Sequence, residues 1–155
     1  MRVALDTNVL AYAAGVDRSP DDGAKIDTAR RVMAQLALNA TLVAPVQVLG
    51  ELFVVLLRSG QSPDEARRLV LEFRQSLAGA DSRDATLAAA LDLAVDHRMQ
   101  FWDALIVSAS VDAGCILLLS EDLQDGLVAR GLTVVNPFAA KPNRKLAQVL
   151  AQPSA

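Results

Sequence analysis

Four short apolar runs, at residues 3–5, 41–44, 115–119 and 133–135, punctuate a chain whose other segments are mostly helical in pattern. Each run is mainly Val, Leu, Ile and Ala, long enough for a buried strand and too short for a helix. Between them, residues 24–38 set Ile26, Ala29, Val32, Met33 and Leu36 on one face, with Lys25, Arg30 and Arg31 off it. Residues 46–57 follow Pro45 and are apolar almost all round, the pattern of a buried helix. Ser62 and Pro63 open a further helix, Asp84 caps one over 84–97, and Gly114 stops one over 104–113. Residues 15–23, with Pro20 and three Asp, read as a loop. Short apolar strands alternating with helices predict an α/β fold, with a mostly parallel central sheet flanked by helices. One domain over residues 1–140 is expected, with 141–155 as a C-terminal tail, partly helical over 143–151 or flexible.

Composition narrows the class of protein. At 155 residues and 52% hydrophobic, the chain has enough material for a core without staples. Its single cysteine excludes an internal disulfide framework and a multi-cysteine zinc site. No apolar run approaches the roughly 20 residues of a membrane span, and a carboxylate at Asp6 falls too early for a signal peptide. A cytoplasmic protein with no membrane partner is therefore expected. The net charge of -3 is unusual for a nucleic-acid binder. If four carboxylates are gathered at one site, however, the rest of the molecule is no longer net acidic.

Four carboxylates stand in or against apolar segments. Asp6 follows the first strand, and Asp122 lies just past the run at 115–119. Glu51 is the only charge in 46–57, and Asp103 separates Phe101-Trp102 from Ala104-Leu105-Ile106-Val107. Taken singly, Asp6 and Asp103 could be helix caps, Asp122 a turn residue, and Glu51 a side chain facing a local gap in an otherwise buried helix. A cap does not account for Glu51. Two of the acids, moreover, follow strands, where open α/β sheets bind ligands. Four converging carboxylates raise one another's pKa unless a cation is present. Oxygen donors without Cys or His select Mg2+ or Mn2+, which suits phosphoryl chemistry.

The motifs Leu5-Asp6-Thr7-Asn8-Val9-Leu10, Val48-Leu49-Gly50-Glu51-Leu52, Phe101-Trp102-Asp103-Ala104-Leu105-Ile106 and Leu119-Ser120-Glu121-Asp122 occur in an order and at spacings that resemble a PIN domain. With the closing Val135-Asn136-Pro137-Phe138, they are similar to the VapC-type toxins of bacterial toxin–antitoxin pairs, over roughly residues 2–138. The resemblance implies a Rossmann-like sheet and a Mg2+- or Mn2+-dependent ribonuclease site. Asp6, Glu51, Asp103 and Asp122 match the acidic quartet, with Asp6 and Asp103 as direct metal ligands. Glu51 and Asp122 would complete the site directly or through water. Asn8 and Ser120 match polar positions that orient ligands or water, and Asp125, one helical turn past Asp122, is an accessory candidate. The resemblance also implies a homodimer and a small antitoxin partner, which an exposed apolar face would suit.

Other residues carry weaker signals. Arg58, Arg67 and Arg68 offer an RNA-contacting rim or simply a solvated face, as do Arg74, Arg30-Arg31 and Arg144-Lys145. His97, the only histidine, suits a helix C-terminus. Cys115 suits packing, and Trp102 suits packing beside Asp103 or base stacking. Two rival functions stand beside the nuclease. Asp6-Thr7-Asn8-Val9 resembles the nucleophile motif of haloacid-dehalogenase-like phosphatases, although Asn8 stands where those want a second Asp and no lysine is well placed. A non-catalytic PIN module binding RNA or a protein is the other.

Overall fold

A computed structural model describes residues 1–141 and 143–151. Among them the order is β1 (Arg2–Leu5), α1 (Thr7–Ala13), α2 (Asp22–Ala37), β2 (Thr41–Pro45), α3 (Val46–Arg58), α4 (Pro63–Ser76), β3 (Ala78–Ala80), α5 (Asp84–Asp96), α6 (Phe101–Asp112), β4 (Leu117–Leu119), β5 (Val128–Ala129), β6 (Leu132–Val135) and α7 (Arg144–Leu150). The strands form one sheet in the order β3-β2-β1-β4-β6-β5. All neighbours pair in parallel except β5 and β6.

The central strands are buried on both faces, which explains their unbroken apolar runs. Val3, Ala4, Leu5, Leu118 and Leu119 are wholly inaccessible to solvent. Each such Val or Leu contributes about 1.5–3 kcal/mol by leaving water. From β1 the chain steps to β2 and β3 on one side, while β4 joins β1 on the other. The order therefore reverses between β1 and β4, and a crevice opens there at the strands' carboxyl ends. Asp6 N–H donates to the Leu119 carbonyl at 2.9 Å, which ties the two strand exits together.

Several boundaries differ from expectation, each for a physical reason. The regular part of β4 begins at Leu117. Ile116 already pairs through its backbone with Arg2 and Thr133, but its side chain is exposed at the amino end of the strand. Helix α6 begins at Phe101 rather than Ala104, so Asp103 lies in its first turn and is not its cap. Asp84 is the first residue of α5, and Arg83 holds the cap position. Pro45 is the last residue of β2 and leads directly into α3. Strand β3, an Ala-Gly-Ala segment, has none of the β-branched or aromatic residues that mark strands; it forms because β2 offers an edge. Strand β5 is half of a tight hairpin whose two turn residues, Arg130 and Gly131, both have positive φ (49° and 86°), as such turns require.

Residues 144–150 form a helix capped by Asn143, whose side chain accepts from Lys145 N–H at 3.0 Å. Leu146 and Val149 are buried. Lys145 donates to the Thr133 hydroxyl at 2.7 Å, which gives this cation a partner despite its place at a helix start. Pro142 and residues 152–155 of the expected tail lie outside the described residues. Among the described residues no helix is long and apolar enough to cross a membrane.

Candidate active site

The crevice between β1 and β4 holds a cavity of about 320 Å3 lined by Asp6, Thr7, Asn8, Glu51, Val54, Val55, Arg58, Asp103 and Asp122. Four elements deliver the four acids. Asp6 leaves β1 and caps α1, Glu51 projects from the second turn of α3, Asp103 from the first turn of α6, and Asp122 follows β4.

Three of the carboxylates are held by neighbouring donors. Asp6 is buried; it accepts from Thr7 N–H at 2.7 Å and from the Ser120 hydroxyl at 2.6 Å. Ser120 itself is wholly buried, and its oxygen also accepts from Leu123 N–H at 3.2 Å. Glu51 accepts from the Thr7 hydroxyl at 2.8 Å and from the Gln47 amide at 2.9 Å. Asp122 accepts from the Asn8 amide, whose oxygen faces Arg18 at 3.4 Å. Asp103 receives no hydrogen bond among the described residues, and its oxygens are free to take up another ligand.

The electrostatics follow from this crowding. Burial pushes the Asp6 carboxyl from 3.8 up to about 6; the hydrogen bonds from Ser120 and Thr7 hold it back in part, and repulsion from Asp122 and Asp103 adds a smaller upward push. Asp103 is raised by burial, then by repulsion from Glu51 and Asp122. Burial, with some mutual repulsion, thus disfavours the charged form of both acids, and a cation would relieve it.

A divalent cation fits the donor set. Every ligating atom offered is a hard oxygen, as Mg2+ and Mn2+ prefer. Among the described residues no three His, Cys, Asp or Glu side chains are gathered tightly enough to grip an ion by themselves. That spacing suits Mg2+, which is usually held through one or two carboxylates with water and substrate phosphate filling the rest.

The remaining candidates are distributed unevenly. Arg58 lines the cavity, as do the four acids and Asn8, while Ser120 touches it through Asp6. Arg67 and Arg68 do not line it. They pair along α4 with Asp64, Glu65 and Glu72 on an exposed face. Asp125 is not a helical turn past Asp122, because residues 121–126 form bends and turns. Its carboxylate instead accepts from Asn136 N–H at 2.8 Å and lies 3.5 Å from the Asn143 amide. Glu121 points away from Asp122 to Lys25 and to the Tyr12 hydroxyl at 3.0 Å. Trp102 is half exposed and packs edge-on against Phe101. Cys115 is buried, and desolvation pushes its thiol up to about 11, so it is no nucleophile at neutral pH.

Thr7, Gln47 and Arg18 were not singled out from sequence. A signal existed for the first two: Thr7 adjoins Asp6, and Gln47 stands four residues before Glu51, one helical turn away. Arg18 sits in a loop whose path no local pattern foretells.

A family model described as PIN domain matches residues 3–125. No curated protein matches by sequence. Two solved structures share the fold. VapBC2 from Rickettsia felis, bound to a DNA fragment from its promoter, aligns with TM-score 0.66 at 19% identity, covering 88% of this chain and 98% of that one. Mycobacterium tuberculosis VapC20, a sarcin-ricin loop cleaving toxin, aligns with TM-score 0.61 at 19% identity, covering 77% and 89%. With the family match spanning most of the chain and no lysine among the residues lining the acidic cavity, the phosphatase resemblance falls away. The chain belongs to the PIN-domain family.

Proposed function

We propose that the protein is a Mg2+- or Mn2+-dependent endoribonuclease, the toxin of a toxin–antitoxin pair. The observation that carries this is the convergence of Asp6, Glu51, Asp103 and Asp122 on one cavity at the sheet's switch point. Likeness in fold to VapC20 and VapBC2 supports the toxin assignment.

Asp6 and Asp103 would hold the cation, Asp103 because its oxygens are unengaged and Asp6 because Ser120 and Thr7 fix its direction. When bound, the ion neutralises charge on the attacked phosphate and lowers the pKa of a coordinated water. Glu51 and Asp122 complete the site, directly or through water, and orient the attacking water or accept its proton. Thr7 and Gln47 keep Glu51 in one orientation, and Asn8 does the same for Asp122. Water's oxygen bonds to phosphorus as the bond to the 3′ oxygen breaks. The products are a 5′-phosphate and a 3′-hydroxyl, because the 2′-hydroxyl takes no part. Arg58 and Arg18 stand at the mouth of the cavity as phosphate contacts.

A cytoplasmic setting, a homodimer and a small antitoxin belong to the same proposal. Leu87, Leu91 and Val95 form an exposed apolar stripe along α5. A hollow of about 430 Å3 includes Met33, Leu69, Phe73 and Leu77 in its lining and offers a partner's apolar side chains a seat.

The test is incubation of total cellular RNA with the purified protein, with Mn2+ and with EDTA, followed by mapping of the ends. Metal-dependent cuts with 5′-phosphate termini are expected. Intact RNA in the presence of folded, partner-free, Mn2+-loaded protein would favour a PIN module that only binds.

A further inference from the structure

The acidic cavity does not end at its acids. Asp103 and Asp122 also form one side of a second cavity of about 290 Å3, completed by His97, Met99, Gln100, Leu123, Gln124 and Leu127. The two hollows share these carboxylates and differ in chemistry. The first carries Arg58, with Arg18 nearby on Asn8. The second carries two neutral carboxamides, three flexible apolar side chains and one imidazole, with no Lys or Arg among its lining residues.

The second cavity's wall departs twice from local structural preference. Gln100 holds the cap position of α6, yet its side chain caps nothing, where Ser, Thr, Asp or Asn would close the helix. Arg98, between His97 and Met99, has φ 51°, a left-handed conformation that favours glycine. Such departures without a structural return gather at functional sites. The side-chain amides of Gln100 and Gln124 make no hydrogen bond among the described residues, so each keeps donors and an acceptor free.

We propose that this second cavity is a nucleobase subsite. It receives the unpaired base of the nucleotide adjoining the scissile phosphate, with the ring against Met99, Leu123 and Leu127 and the edge hydrogen-bonded by Gln100 and Gln124. Single-stranded RNA is read in this way, with splayed bases packed on side chains and recognised along their polar edges. A phosphate seated at Asp103 and Asp122 puts its neighbouring nucleotide directly at this opening, while the strand on the other side passes Arg18 and Arg58. The assignment rests on the endoribonuclease proposal and adds the element of sequence choice.

The experiment has two arms, each using the full chain. In the first, a randomised single-stranded RNA is cut with Mn2+ by wild-type protein and by a Q100A/Q124A variant, and the ends are sequenced. Wild type is expected to prefer particular bases at one position next to the cut. The variant is expected to lose that preference by about tenfold while still cutting. Both glutamines are solvent-exposed, so folding is retained. An unchanged preference in an active variant overturns the subsite. In the second arm, 5′-ribonucleoside monophosphates are added with Mg2+ to offset the charge of Asp103 and Asp122, and the carboxamide signals of Gln100 and Gln124 are followed by NMR. Shifts that differ among the four nucleotides support the subsite. Unmoved signals at millimolar nucleotide overturn it. A chain that never cuts RNA but shows these shifts overturns the nuclease proposal and leaves the subsite standing.

Discussion

Asp6 concentrates the tension between stability and activity. Its carboxyl has a pKa near 3.8 in an unfolded chain and about 6 in the fold. Between these values the folded protein holds a proton that the unfolded chain has released, so stability falls as pH rises through that window. Above it the full penalty applies, about 3 kcal/mol for two units. Asp6→Asn removes the charge and keeps the shape. In metal-free buffer at pH 8 it should therefore raise stability by about 1–2 kcal/mol in urea unfolding, with the gain vanishing below pH 4. A less stable variant at pH 8 would contradict the assigned cost. Ser120→Ala should act in the opposite sense on function, lowering activity by about 10–100-fold through a misdirected Asp6, measured as kcat on a defined RNA. The four acids were legible as residues because charge inside apolar segments is conspicuous. Their partners were less so: Thr7 and Gln47 are ordinary surface-type residues until the fold sets them against Glu51.

Among the elements, those with strong local signals were legible and those created by neighbours were not. Ser62 and Pro63 announce α4, and the Ser62 hydroxyl accepts from Glu65 N–H at 3.2 Å as that pattern requires. Ser62→Ala should cost about 1 kcal/mol of unfolding free energy without changing RNA cleavage. A loss of cleavage would show that α4 acts on the site in some further way. Strands β3 and β5 have no such signature, since an Ala-Gly-Ala edge and a two-residue strand exist only because β2 and β6 offer pairing. The early start of α6 has the same origin. Gln100 is a poor cap, so sequence directs attention to Asp103 as the start, whereas packing of Phe101 against the core extends the helix by one turn. That extension takes Asp103 from the cap into the first turn, from which it reaches the cavity.

At the scale of the molecule, the mild acidity dissolves into an uneven distribution. Arg67 and Arg68 spend their charge on their own helix, while Arg18 and Arg58 stand at the mouth of an acidic site. RNA binding should therefore depend only weakly on salt. Two phosphate contacts on a single strand give a slope of about -1.4 in log K against log salt. Arg18→Ala or Arg58→Ala should each flatten it by about 0.7, and Arg67→Ala should leave it unchanged, as fluorescence anisotropy with a labelled RNA would show. The mostly parallel sheet was legible from alternating runs, and with it the strands' carboxyl ends as the place to look for a ligand; the strand order that puts the switch point between β1 and β4 was not. Nor was the loop that brings Arg18 to Asn8, because it is held by single bonds, Val16 N–H to the Ala11 carbonyl and Arg18 N–H to the Asp22 carboxylate, that no residue pattern announces.

Four carboxylates at the switch point between β1 and β4 should together bind a divalent cation. Calorimetric titration of the purified, metal-free chain with Mn2+ tests it most directly, with wild type, Asp6→Asn and Asp103→Asn measured side by side. One saturable site in wild type is predicted, with proton release near pH 6 as the cation displaces the proton on Asp6, and affinity reduced by about tenfold or more in each variant. Equal Mn2+ affinity in all three proteins, or no saturable binding to folded wild type, would mean that Asp6 and Asp103 hold no cation.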